Sequence, residues 1–382
     1  MKYNFDKLSQ RRHTSSEKWD VKENELPMWV ADMDFMVMSE MQDAIKKAAT
    51  DMSYGYTFPT KEFFESFQYW WKTRHNLLID TNSMIYVTGV VAALDSLVRA
   101  LTKENDSVMI LSPVYNNFFV VVETNNRHLV ISNLLYQNDD FYIDYQDVEE
   151  KIVKNNVKLF IFCNPHNPIG KIWPREEIEK LYKLLSKHGV QMISDEIHCD
   201  IVEPGEQYVP ALSVASDIIT CISPSKVFNT SGLHVAVTVV NDSVKRDIVA
   251  KAFYHDDIGE PTYFAIPAII AAYKYGATYV DELNQYLLNN KNYVKSFLKE
   301  KLPHVKLVSG KATYLLFLDI SYYGLSSDEF VKKLREETGL YVNSGLHYGP
   351  NGGAFIRVNI ATSLENVKDG LSRLEKFCNG RR

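Results

Sequence analysis

Little in this sequence points toward a membrane, a nucleic acid or an oxidising compartment. No run approaches the roughly 18 apolar residues that a bilayer-crossing helix needs. The first residues, Met1-Lys2-Tyr3-Asn4-Phe5-Asp6, are polar and mixed, unlike the apolar core of a signal peptide. An excess of basic residues is also lacking. Lys and Arg total 42 against 48 Asp and Glu, a net charge of −6, so no global field draws nucleic acid or an anionic surface. The four cysteines, Cys163, Cys199, Cys221 and Cys378, form no Cys-x-x-Cys pair. Three lie in or beside apolar runs, which predicts buried free thiols. Low-complexity stretches and internal repeats are absent. These absences predict a cytoplasmic protein with no nucleic-acid and no membrane partner.

What is present is alternation. With 382 residues, 46% of them hydrophobic and 24% charged, the chain is a folded protein too long for one ordinary core, so two joined lobes are expected. Apolar runs at Met84–Val87, Ser107–Leu111, Val157–Cys163, Gln191–Ser194, Ile218–Ser223 and Val235–Val240 read as strands. Amphipathic segments separate several of them. Arg175–His188, for example, places Ile178, Leu181, Leu184 and Leu185 on one face. Strands apolar on both faces are covered by helices on both sides, so the expected class is α/β with a mostly parallel sheet. The last hundred or so residues change pattern. Helix Thr278–Lys301, a strand near Thr313–Leu318, helix Ser327–Thr338, strand Ala354–Ile360 and helix Ser363–Cys378 form a smaller α+β lobe. The expected division is a large domain over 46–283 and a small one over 284–382, which residues 1–45 join.

Ligands of parallel sheets sit beyond the carboxyl ends of the strands. Three strands here, at about thirty-residue intervals that suit βαβ units, end in polar clusters. The first runs into Asn164-Pro165-His166-Asn167-Pro168-Ile169-Gly170, the second into Asp195-Glu196-Ile197-His198, the third into Ser223-Pro224-Ser225-Lys226. Each alone has a plainer reading. Asn and Pro are turn formers, Asp195 could cap a helix, and Asp-Glu-x-His could suggest a metal, although further ligands at helical spacing are missing. Together they bring an amide, a carboxylate and an amine to one crest. Pyridoxal phosphate chemistry uses all three: a lysine for the cofactor's aldehyde, a carboxylate to keep the pyridine nitrogen protonated, and a neutral donor for the phenolic oxygen. Lys226, Asp195 and Asn167 suit these roles. A phosphate site is readable at Thr88-Gly89-Val90-Val91, where a glycine turn opens a helix whose N–H groups bind a dianion. Ser223 and Ser225 add hydroxyls, and Tyr115, in Ser112-Pro113-Val114-Tyr115, can stack on the ring. Arg357 is a lone charge in an apolar strand, either salt-bridged or set to hold a carboxylate.

In this order and spacing the motifs resemble the fold-type I pyridoxal-phosphate enzymes, class I/II aminotransferase-like branch. Within it they are similar to the cystathionine β-lyase (C–S lyase) subfamily, through Pro27-Met28-Trp29-Val30-Ala31-Asp32-Met33-Asp34-Phe35, Tyr54-Gly55-Tyr56 and Asp195-Glu196-Ile197-His198-Cys199-Asp200. The resemblance implies Lys226 as the Schiff-base lysine and base for the α-proton, with Asp195 on the pyridine nitrogen. It implies Asn167 and His198 near the phenolic oxygen, and Tyr115 on the ring. Gly89, Val90, Val91, Ser223 and Ser225 would surround the phosphate, and Arg357 would hold the substrate carboxylate. Tyr56 would reach the neighbouring subunit's phosphate, which implies a homodimer with shared active sites. The implied reaction is β-elimination from cystathionine or another cysteine thioether, giving a thiol, pyruvate and ammonia. An aminotransferase, or a lyase that also binds a regulator, are the alternatives. Two departures stand out: His234 replaces the phosphate-binding arginine of many aminotransferases, and Asn116-Asn117 follow the stacking tyrosine.

Overall fold

A computed structural model describes residues 2–381. Its main sheet has seven strands: β1 (Met84–Val87), β2 (Ser107–Ser112), β3 (His128–Asn133), β4 (Val157–Cys163), β5 (Gln191–Asp195), β6 (Ile219–Ile222) and β7 (Ala236–Val239), in the order β1-β7-β6-β5-β4-β2-β3. Pairing is parallel from β3 through β6, and β7 alone runs against its neighbours β6 and β1. The sheet is therefore mostly parallel, as the two-sided apolar runs require. Every residue of β2 and β6 is buried. Of the seven strands in this sheet, patterning missed β3, an edge strand whose His128 and Asn133 are exposed.

Helices cover both faces. Helix α1 (Val90–Leu101) buries Ala93, Leu94, Leu97 and Val98, residues at helical spacing on one stripe. Helix α2 (Arg175–Lys187) buries Ile178, Leu181 and Leu185, with acidic Glu176 and Glu177 in its first turn where they complement the dipole. Helix Lys61–Arg74 is capped by the Thr60 side chain, which accepts from the Phe63 N–H. It buries Phe63, Phe67, Trp70 and Trp71, and Trp70 stacks on Tyr273 with ring centres 5.0 Å apart.

The second lobe is a four-stranded antiparallel sheet of β8 (Lys306–Leu307), β9 (Leu315–Asp319), β10 (Asn343–Ser344) and β11 (Phe355–Asn359), ordered β8-β9-β11-β10. Helices α3 (Ala277–Lys301), α4 (Ser327–Thr338) and α5 (Leu364–Asn379) pack with it. The N-terminal segment touches both lobes. Leu26–Pro27 pairs with Leu340–Tyr341, while Asn229 of the large lobe donates to the carbonyls of Met33 and Phe35. All four cysteines are buried, and none forms a disulfide among the described residues. Among the described residues no helix is long and apolar enough to cross a membrane.

Candidate active site

The three strand ends meet as the sheet register demands. Asp195 closes β5 beside Cys163 of β4 on one side and Cys221 of β6 on the other. Its backbone carbonyl accepts from the Asn164 N–H at 2.9 Å. Beyond these ends lies a cavity of about 280 Å³, lined by Gly89, Val90, Val91, Tyr115, Asn167, Asp195, His198, Ser223, Ser225 and Lys226. Most of the residues named from sequence thus share one hollow. Ala31, Thr88, Cys163, Ser231 and His234 line it too.

Burial sets the charge states. Asp195 is pushed up to about 7, chiefly by burial, while the Ile197 N–H on Oδ1 (3.1 Å) and Lys226 oppose the shift. Lys226 is pulled down to about 8 by the same desolvation, with Asp32 resisting and Arg357 assisting. His198 falls to about 3 for want of solvent, beside the positive Lys226 and Arg357, so its ring is neutral at pH 7. Its Nδ1 is buried without a partner. The Tyr115 hydroxyl rises to about 12 through burial and the nearby Asp195.

Arg357 reaches the site from the other lobe. On β11 the period-two alternation puts Phe355, Arg357 and Asn359 on one face. The Arg357 guanidinium donates to the Trp29 carbonyl (2.8 Å) and to Asn167 Oδ1 (3.3 Å), and lies 4.7 Å from the Tyr348 ring centre. It has no carboxylate partner among the described residues, so the salt-bridge reading of this lone charge fails. Asn359 holds the Val30 and Asp32 carbonyls at 2.6 and 2.7 Å.

Sequence reasoning gave no role to the segment these contacts grip. The Ala31 carbonyl accepts from Lys226 Nζ at 2.8 Å and from the Tyr314 hydroxyl at 3.1 Å. Trp29 and Ala31 act through backbone oxygens, and only the quoted Pro27–Phe35 motif hinted at them. Asn117 was also missed as a partner: its amide donates to the Tyr115 hydroxyl at 2.8 Å. Tyr56 stands apart from this cavity, 98% exposed beside a surface cleft shared with Phe58, Tyr263 and Tyr275.

The residues fit pyridoxal phosphate. Asp195 is a buried carboxylate whose second oxygen has no partner among the described residues, which suits a ring N–H⁺. His198 offers an orphaned nitrogen. A Cβ on Gly89 would meet nothing within 4 Å, so glycine keeps open the space in front of the first N–H groups of α1. Its φ of 163° is ordinary extended backbone, and room rather than torsion is what the glycine provides. The acidic residues of Asp-Glu-x-His diverge. Glu196 turns away to accept from Ser194, Tyr208 and the Ala211 N–H. The described residues with metal-ligating chemistry gather instead at His75, Cys199 and Asp200, where one Asp200 oxygen accepts from Trp70 and His75, each at 2.9 Å.

Comparison with known proteins agrees with this geometry. The family model for aminotransferase class I and II matches residues 23–374. Cystathionine beta-lyase PatB of Bacillus subtilis (strain 168) is 38% identical over 97% of this chain and 99% of its own length. The crystal structure of cystalysin from Treponema denticola, which contains a pyridoxal 5'-phosphate cofactor, superposes with a TM-score of 0.95 at 29% identity, covering 100% of both chains. The PLP-bound C–S lyase of Staphylococcus hominis, in external aldimine form with L-cycloserine, gives a TM-score of 0.92 at 32% identity over 98% of each chain. With the lysine, carboxylate and amide of the crest in one cavity and the match running nearly end to end, this chain belongs to the class I and II aminotransferase family, in the fold of the pyridoxal-phosphate C–S lyases.

Proposed function

We propose that this protein is a pyridoxal-phosphate-dependent carbon–sulfur β-lyase that cleaves L-cystathionine or a related cysteine thioether to a thiol, pyruvate and ammonia. The observation that carries the reading is the convergence of Lys226, Asp195 and Asn167 on one cavity, in a chain 38% identical to a cystathionine β-lyase.

Bound there, the cofactor supplies an electron sink for the charge left when the substrate α-proton departs. The chain supplies the rest. Asp195 would keep the ring nitrogen protonated, and Asn167 with His198 would address the phenolic oxygen. Tyr115 would pack against the ring, its hydroxyl held by Asn117. Arg357 would grip the substrate carboxylate with a planar fork. Lys226, near 8 rather than the usual 10.5, is about a tenth neutral at pH 7 and would take the α-proton. The thiolate then leaves from the β-carbon.

The test is substrate turnover by purified protein with added cofactor. Pyruvate release from cystathionine, cysteine or an S-alkyl cysteine is the expected result. Accumulation of pyridoxamine phosphate with a keto acid, and no pyruvate, would instead make the chain an aminotransferase. Lys226→Ala should lose both activity and the borohydride-sensitive visible absorbance.

The working unit in this reading is a homodimer, with Tyr56 of each chain completing the phosphate site of the other. Its near-complete exposure in the single chain supports this. Mixing inactive Tyr56→Ala and Lys226→Ala proteins should restore activity through hybrid dimers that retain one intact site. The reading also assigns residues 1–45 and 284–382 to the small domain and 46–283 to the cofactor domain.

A further inference from the structure

The end of the cavity that faces α1 is built from neutral donors. The N–H groups of Val90 and Val91 open the helix, and the Ser223, Ser225 and Ser231 hydroxyls line the same end. The hydroxyls give less than their number suggests. Ser223 Oγ already donates to the Val235 carbonyl at 2.6 Å. These groups offer a phosphate dianion hydrogen bonds and the positive end of a helix dipole, but no full positive charge.

Of the residues lining the cavity, only Lys226, His198 and His234 can carry one. Lys226 is reserved for the aldehyde carbon. His198 is held neutral by burial. His234 remains. Its backbone is fixed on both sides: the N–H donates to the Ser231 carbonyl at 3.2 Å, and the carbonyl accepts from the Tyr86 hydroxyl at 2.7 Å. It follows the Ser231–Leu233 turn in the left-handed region (φ 55°), a conformation a non-glycine residue adopts only when its surroundings impose it. The side chain is the free part. The ring has no hydrogen-bond or ion-pair partner among the described residues, and it borders the cavity.

We propose that the His234 imidazole is the charge-bearing ligand of the cofactor phosphate. The inference rests on the cofactor reading. The visible absorbance that wild-type protein gains with pyridoxal phosphate checks that reading separately, in the same titration.

The experiment compares binding of pyridoxal phosphate with binding of pyridoxal, which lacks the phosphate, by equilibrium dialysis on the full-length cofactor-free protein. His234→Asn keeps a residue that tolerates the left-handed turn and removes the cation. It should weaken pyridoxal phosphate binding by about 10- to 100-fold, the range of a charge-assisted hydrogen bond, and leave pyridoxal binding unchanged. His234→Lys should keep the preference for the phosphorylated form. The ³¹P resonance of the bound cofactor should move in His234→Asn. A preference for pyridoxal phosphate that His234→Asn leaves intact, or an equal loss for both ligands, would overturn the proposal.

Discussion

Replacing Asp195 by Asn should make the cofactor-free protein more stable while abolishing its chemistry. The carboxyl is buried and pushed up to about 7. An unfolded aspartate ionises near 3.9 at a linkage of about 1.4 kcal/mol per pH unit, so folding with an ionised Asp195 costs roughly 4 kcal/mol above pH 7. The sign follows from proton counts. Between about pH 4 and 7 the folded state holds a proton that the unfolded state has lost, so stability is greatest at low pH and falls as pH rises through that window. At pH 5 the cost has reached only roughly 1 to 2 kcal/mol.

Asparagine is the apt replacement because its oxygen still accepts the Ile197 N–H, as Asp195 Oδ1 does at 3.1 Å. Shape and hydrogen bond survive, and only the charge goes. Guanidinium unfolding of the cofactor-free wild type and Asp195→Asn proteins, at pH 5 and pH 8, reads the effect directly. The variant should unfold at higher denaturant at both values, with the larger gap at pH 8. Pyridoxal phosphate should then stabilise the wild type more than the variant, because the ring N–H⁺ supplies the missing counter-charge. Equal midpoints at pH 8, or a gap that does not change with pH, would refute the reasoning.

Other substitutions probe separate parts of the site. Arg357→Ala should lower kcat/KM for any amino-acid substrate by about 10- to 100-fold, mainly through KM, as removal of a charged carboxylate contact does; unchanged KM would sink that role. Gly89→Ala should shift the unfolding midpoint of cofactor-free protein only slightly, since its Cβ meets nothing within 4 Å. It should nevertheless weaken cofactor binding measured by dialysis. Asp200→Ala strands the Trp70 indole and His75, which share one of its oxygens. It should cost about 3 kcal/mol in chemical denaturation and spare the cofactor absorbance of the folded fraction.

The chemistry at the crest could be read from sequence because it is carried by side chains at the ends of long apolar strands. Asn167, Asp195 and Lys226 each follow such a run, and a parallel sheet brings those ends together without further information. Arg357 could be read for a related reason, as a charge where patterning requires an apolar residue. Strand β3 escaped because an edge strand alternates, with exposed His128, Asn133 and buried Val130, Ser132, and so resembles a loop. The grip of Trp29 and Ala31 on Arg357 and Lys226 escaped because peptide carbonyls are the same in every residue. Tyr56 is a different case. Its proposed role lies in another chain, and on its own it is an exposed tyrosine.

These contacts also explain why two lobes are needed. The Arg357 guanidinium joins three parts of the chain: it stands on β11 of the small sheet, donates to Trp29 in the N-terminal segment, and donates to Asn167 in the loop that follows β4. The Arg357 Nε has no partner among the described residues, so a donor remains for a further acceptor beside these bonds. Lys226 is tied to the same segment two residues further on, through Ala31. Residues 29–31 thus hold the Arg357 guanidinium and the Lys226 amine at once, each through a peptide carbonyl, so the N-terminal segment positions the two cations of the site relative to one another.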